Sequence, residues 1–199
     1  MKLEEPEEKK PRARNARPKI ERAALQLFVD EGVDAATTRE IAHAAGVSEG
    51  ALYRHYKGKD ELALALFMDI HDRLGSALYT AFTEGGGSME TRVQRAVAAY
   101  CQIADEDWLL FSFHLLSMNK FLPHDVRRDD DPVSLVEQMI DALVVEGAIP
   151  ACNTPVMAGM VLGVMTQTAQ NMAYNRFEGP FGLYADDFTK AILAILKQD

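Results

Sequence analysis

The sequence predicts an all-α protein of about nine helices, with a three-helix N-terminal domain ahead of a larger helical one. Three observations predict this. The stretches between the few glycines and prolines are rich in Ala, Leu, Met and Glu, residues with strong helix propensity. Apolar residues in those stretches recur at three- and four-residue spacing. Runs of alternating β-branched residues, the signature of half-buried strands, are nearly absent.

The elements follow in order. Residues 1–17 read as a disordered tail, acidic through Glu4, Glu5, Glu7 and Glu8 and basic from Lys9 to Arg17. A solvated tail and an arm laid on DNA both fit that composition. Pro18 suits the first position of a helix whose apolar face is Ile20, Ala23, Ala24, Leu27 and Phe28, with Gly32 as its stop. Thr37 with Glu40 three residues on makes a capping box for a second helix ending near Ala45. Gly46 permits a sharp turn, and Ser48 caps a third helix, with Glu49 in its first turn, expected to end near Tyr56.

Gly58 separates this from a long fourth helix, from about Lys59 to about Phe82, closed by Gly85, Gly86 and Gly87. Ser88 caps a fifth, with Val93, Val97, Tyr100 and Ile103 on its apolar face. A break at Asp105, Glu106 and Asp107 precedes a sixth, 108–121, with an unusual aromatic load. A polar loop at 123–131 leads to Pro132, which opens a helix closing at Gly147. Thr154 as N-cap and Pro155 in the first turn start a helix expected to reach about Phe177, and Gly179 and Pro180 separate it from a last helix, about 184–197.

Bulk properties bound the function. The formal charge of −9 is unevenly spread. Residues 9–59 hold 11 Lys and Arg against 6 Asp and Glu, whereas residues 60–199 hold 9 against 20. A basic first third suits a polyanionic partner, and the acidic remainder should face away from it. Cys101 and Cys152 have no metal or redox spacing, so neither metal nor cofactor is expected. The N-terminus lacks an apolar signal core, and the longest near-apolar run, 156–165, is about half of what a membrane helix needs. A soluble, cytoplasmic protein with no membrane partner is the expectation.

A helix-turn-helix needs a small residue at the turn, internal apolar residues and an exposed polar face on its second helix. Gly46 supplies the turn. Ile41, Val47, Leu52 and Tyr56 are the internal positions, and Glu49, Gly50, Ala51, Tyr53, Arg54 and His55 lie near or at the surface. At this point residues 18–66 resemble the DNA-binding domain of TetR/AcrR-type transcriptional regulators. The resemblance rests on Ala23-Ala24, Leu27-Phe28, Gly32, Thr37-Thr38, Ile41-Ala42, Ala45-Gly46-Val47-Ser48, Gly50, Leu52-Tyr53, His55-Tyr56, Lys59, Glu61 and Leu62.

The resemblance implies a role for each matching position. Thr37 and Thr38 would contact phosphate. Arg39 would reach a base, guanine being its usual partner. Ser48 and the start of the third helix would lie near the sugar-phosphate strand. Glu49, Gly50 and Ala51 would face the bases, Tyr53, His55 and Lys59 would anchor phosphates, and Arg54 would touch base or backbone. Glu49 has two readings: it accepts from a cytosine amine, or it caps its helix and turns away. Tyr56 stands where the family usually has Phe.

The same resemblance divides the chain into the tail 1–17, a DNA-binding domain 18–58 and a ligand-binding and dimerisation domain 59–199. It implies a non-enzyme, a repressor that binds a palindromic operator on double-stranded DNA as a homodimer and is released by a small-molecule effector. The last two helices would form the dimer bundle, through small residues of the first and Phe188, Ala191, Ile192, Ile195 and Leu196 of the second.

The candidate effector-binding residues are Tyr100, Trp108, Phe111, His114, Met118, Phe121, Met139, Gln167, Asn171 and Tyr174, mostly apolar walls with a few polar groups. Packed core describes the same residues equally well. Two rival classes fit parts of the sequence. Gly46-Val47-Ser48-Glu49-Gly50 fits the hydrolase nucleophile pattern G-x-S-x-G, but that motif needs a preceding strand and none is evident. An all-α protein-interaction module without DNA binding is the alternative that the net acidity favours.

Overall fold

The structure is a computed structural model that describes residues 16–122 and 131–197. Among the described residues there are nine α-helices, one 3-10 turn and no strand. Residues 1–15 of the expected tail and most of the 123–131 loop lie outside them, while Ala16 and Arg17 belong to the first helix. The chain divides into two compact units, one ending at Ala63 and the other beginning at Leu64.

The first unit contains α1 (Ala16–Glu31), α2 (Thr38–Ala44), α3 (Glu49–Tyr53) and the start of α4 (Lys59–Thr83). Ile20, Ala24 and Phe28 of α1 are buried with Ile41, Leu52 and Tyr56. The expected capping box is present: the Thr37 hydroxyl accepts from the Glu40 N–H at 3.2 Å, and the Glu40 carboxylate accepts from the Thr37 N–H at 3.0 Å. Such a cap contributes about 1 kcal/mol to a helix too short to stand alone. The Thr37 hydroxyl, which also donates to the Glu40 carboxylate, and then the Thr37 N–H hold that carboxyl below its ordinary range.

α2 closes on Gly46, whose φ of 66° lies in the left-handed region that glycine adopts without steric cost. The Gly46 N–H donates to the His43 carbonyl and the Val47 N–H to the Ala42 carbonyl, each at 3.0 Å, so the chain reverses with its amides satisfied. α1 begins at Ala16 rather than Pro18; a first-turn proline forfeits no intrahelical bond. α3 ends at Tyr53, not Tyr56, because the His55 and Tyr56 amides both close onto the Leu52 carbonyl.

The second unit holds the rest of α4 with α5 (Met89–Glu106), α6 (Trp108–Phe121), α7 (Pro132–Val145), α8 (Thr154–Ala173), the 3-10 turn Phe181–Tyr184 and α9 (Ala185–Leu196). Asn153, not Thr154, caps α8. α8 stops at Ala173 instead of Phe177: Asn175 takes a left-handed φ of 55°, its N–H donating to the Met172 carbonyl and the Arg176 N–H to that of Asn171. Asparagine is the commonest substitute for glycine in that closure. The Asp105 carboxylate accepts from the Phe181 and Gly182 amides at 2.6 and 2.9 Å, pinning the 3-10 turn to α5.

The core of this unit is partly aromatic. Phe111 packs against Tyr100, Trp108 and Phe181. Phe67 stacks on His71 and His114, whose rings share a hydrogen bond between Nδ1 of His71 and Nε2 of His114 at 3.0 Å. Nδ1 of His114 is buried without a partner among the described residues. Burial, reinforced by His71, pushes the His114 pKa down to about 3.

Between about pH 6.5 and pH 3 the unfolded chain therefore binds a proton that the folded one refuses. Stability should fall as pH falls through that window, by up to about 1.4 kcal/mol per pH unit. Urea unfolding at about pH 7.5 and about pH 5.5 measures the slope, and His114→Phe, which keeps the ring stack, should flatten it.

Candidate nucleic-acid interface and apolar cavity

Three local devices position the polar face of the first unit. The capping box fixes the entry to α2, the Gly46 turn sets α3 against it, and Ser48 starts α3 by accepting from the Ala51 N–H at 3.2 Å. Arg39, Ser48, Glu49, Gly50, Tyr53, Arg54 and His55 are exposed or half-exposed, and Thr38 is half-buried. The Tyr53 and Thr38 hydroxyls lie 3.2 Å apart, which joins α3 to the start of α2; whichever of the two accepts in that bond keeps its O–H for a phosphate oxygen. Thr37 is exposed, but its hydroxyl is committed to Glu40 at 2.7 Å.

Two candidate DNA-binding residues sit differently from expectation. Ala51, expected at the base-facing surface, is only 7% exposed, buried beside Leu52 because a five-residue helix has room for little more than one outward stripe. Lys59 is half-buried, and its ammonium donates to the carbonyls of Asp34 and Ala36 at 2.6 and 2.8 Å. It fastens the loop ahead of α2 and keeps one N–H for another acceptor.

In the second unit an apolar cavity of about 60 Å³ lies among α4, α5, α7, α8 and α9. Leu78 and Phe82 of α4, Val97 and Tyr100 of α5, Met139 of α7 and Met165 of α8 are among its walls. Burial raises the Tyr100 phenol well above its ordinary pKa, so the hydroxyl stays protonated. Of the candidate effector-binding residues, Tyr100 and Met139 line the cavity; Trp108, Phe111, His114, Met118, Phe121, Gln167, Asn171 and Tyr174 do not. The α6 rings pack on each other and on Phe67 and Phe181. Met118, Gln167 and Tyr174, with Asn119 and Gln170, line a second, more polar cavity of about 260 Å³ between α6 and α8.

The aliphatic walls escape sequence reading because Leu78, Val97 and Ile140 look like any other core positions. The α9 residues expected at a dimer contact also divide: Phe188, Ile192 and Leu196 are buried in their own unit, while Ala191 and Ile195 are half-buried.

The capped α2, the Gly46 turn and the exposed, Ser48-capped α3 make up a helix-turn-helix, the form of a DNA-binding module. Residues 20–66 match the signature of bacterial regulatory proteins of the tetR family. The regulator TtgW of Pseudomonas putida is 30% identical over 125 residues, 56% of this chain and 92% of that protein. SrpR, from the same species, is 26% identical over 171 residues, 77% of this chain and 75% of the relative. The fatty acid degradation regulator FadR of Bacillus halodurans shares the fold, with a TM-score of 0.75 at 17% identity over 94% of this chain and 98% of its own. The chain belongs to the TetR family. Among the described residues no helix is long and apolar enough to cross a membrane.

Proposed function

We propose that this regulator is a cytoplasmic repressor that binds a palindromic operator as a homodimer and is released by a small, mostly apolar effector. In this reading residues 18–58 bind DNA and residues 59–199 bind effector and dimerise. The observation that carries it is α4 itself: one helix begins at Lys59, whose ammonium holds the loop carbonyls just ahead of α2, and carries Leu78 and Phe82, walls of the apolar cavity.

Small-molecule pockets usually measure roughly 300–1,000 Å³, so an occupant of this narrow cavity must push its walls apart. Two of those walls belong to α4. An effector that binds better to the widened state draws α4 with it and shifts the loop anchored by Lys59, and only that differential affinity is needed to move the equilibrium. The lining, aliphatic and thioether side chains with the rings of Phe82 and Tyr100, presents no polar atom to an occupant and selects uncharged, alkyl-rich effectors.

A single α3 is too short to bind tightly alone, which supports two copies reading half-sites about 34–36 Å apart. The outward side of α8 offers exposed Val156 and Met160 beside Gly159 and Gly163, where an added Cβ meets nothing within 4 Å. Two copies can approach closely there.

Selection of bound fragments from random DNA tests the reading. A regulator of this kind enriches a palindrome and loses affinity steeply with salt. Failure to bind any duplex at low salt would favour the protein-interaction module, and a monomer by light scattering at micromolar concentration would overturn the dimer.

A further inference from the structure

Arg17 occupies the first turn of α1, where the helix dipole disfavours a cation. Glu21, four residues on, pairs with it at 2.8 Å, but this is the weaker order for such a pair, and an exposed pair of this kind does little for stability. Helix formation therefore gives no reason for the arrangement.

The third partner gives one. The Tyr56 hydroxyl accepts from Arg17 Nε at 3.2 Å and donates to Glu21 Oε1 at 2.5 Å. Its ring is buried at 6% exposure, and burial with the Glu21 contact pushes the phenol up to about 12, so it remains a donor. Both contacts of Arg17 use Nε. Its Nη1 and Nη2 groups have no partner among the described residues, and the side chain is 64% exposed. A guanidinium held by one edge presents the other to solvent, a fork that matches two oxygens of a phosphate. The anchor is Tyr56, the residue after the exposed His55 at the end of the recognition segment.

We infer that Arg17 is a further phosphate-binding residue of this regulator, aimed by the Tyr56 hydroxyl and the Glu21 carboxylate. The inference rests on the first unit's binding DNA. It also gives the hydroxyl of Tyr56 a use at a position where Phe would pack equally well.

The test is equilibrium binding of the full chain to a mixed-sequence duplex across a salt series, followed by fluorescence anisotropy, with thermal melts confirming that each variant is folded. Arg17→Gln should weaken binding at least about threefold at low salt and reduce the log–log salt slope by about 0.9 per bound protomer. Tyr56→Phe keeps the ring and should weaken binding by less, and the double variant should match Arg17→Gln alone. An unchanged slope in Arg17→Gln overturns the phosphate contact. A Tyr56→Phe loss that persists undiminished beside Arg17→Gln overturns the aiming role. Wild-type protein without salt-dependent binding would sink the DNA-binding reading itself, a result distinct from either.

Discussion

Phe111→Ala should destabilise the second unit by about 3–5 kcal/mol, the usual cost of removing a buried ring whose site cannot fully collapse. The ring is wholly buried, and its neighbours are themselves rigid: Tyr100 meets it edge-on at 5.3 Å, Trp108 lies at 5.6 Å and Phe181 at 6.3 Å. Flat rings on three sides relax poorly into a void, which places the effect in the upper part of that range. Lost aromatic pairing contributes about 0.5–1.5 kcal/mol of it per pair. Against a total of roughly 5–15 kcal/mol, such a loss leaves a marginal protein. Urea unfolding followed by far-ultraviolet circular dichroism gives the number. A cost below about 1 kcal/mol would mean that Phe181 and Trp108 close over the gap, so that the cluster is not the rigid core described.

The same residue shows what sequence can and cannot convey. Phe111 and its neighbours on α6 combine the features of a ligand wall and of a core, and nothing in a helical periodicity separates the two. The first unit is more legible because its determinants are local. Thr37 and Glu40 are three residues apart, Gly46 is a single backbone requirement, and Ser48 acts on the amide three residues ahead. Where closure depends on non-local packing, legibility falls. Tyr56 ties back to Glu21 across 35 residues, and α8 is closed two residues past Ala173 by Asn175, which composition alone does not mark as a terminus. Ala51 departs from its expected place because a five-residue helix turns a base-facing position into a buried one within a single step. The cavity is illegible for a simpler reason. It is a space left where aliphatic side chains of five helices fail to meet, and a sequence records atoms, not gaps between them.

Val97→Phe should produce a protein that binds DNA normally but no longer responds to an apolar effector. Val97 lies on α5 at 3% exposure and lines the cavity, so a larger ring at this position grows into the empty space. Two terms set the stability change. Filling about 60 Å³ at about 24 cal/mol per Å³ returns up to about 1.4 kcal/mol, while imperfect fit of the ring costs about 1–3 kcal/mol. The two nearly cancel, and the melting temperature should move by only a few degrees. Binding has no such compensation, since an occupant would have to expel a covalently attached ring. Affinity for an uncharged apolar fluorophore such as N-phenyl-1-naphthylamine should drop by at least about tenfold, which corresponds to about 1.4 kcal/mol. Operator affinity should become insensitive to decanol while its value without decanol stays within about twofold of wild type, because a ligand shifts an equilibrium only through the state it prefers. If Val97→Phe binds the fluorophore as wild type does, the cavity is not the effector site. If it loses the fluorophore yet decanol still releases DNA, the effector acts elsewhere and α4 is not driven from Leu78 and Phe82.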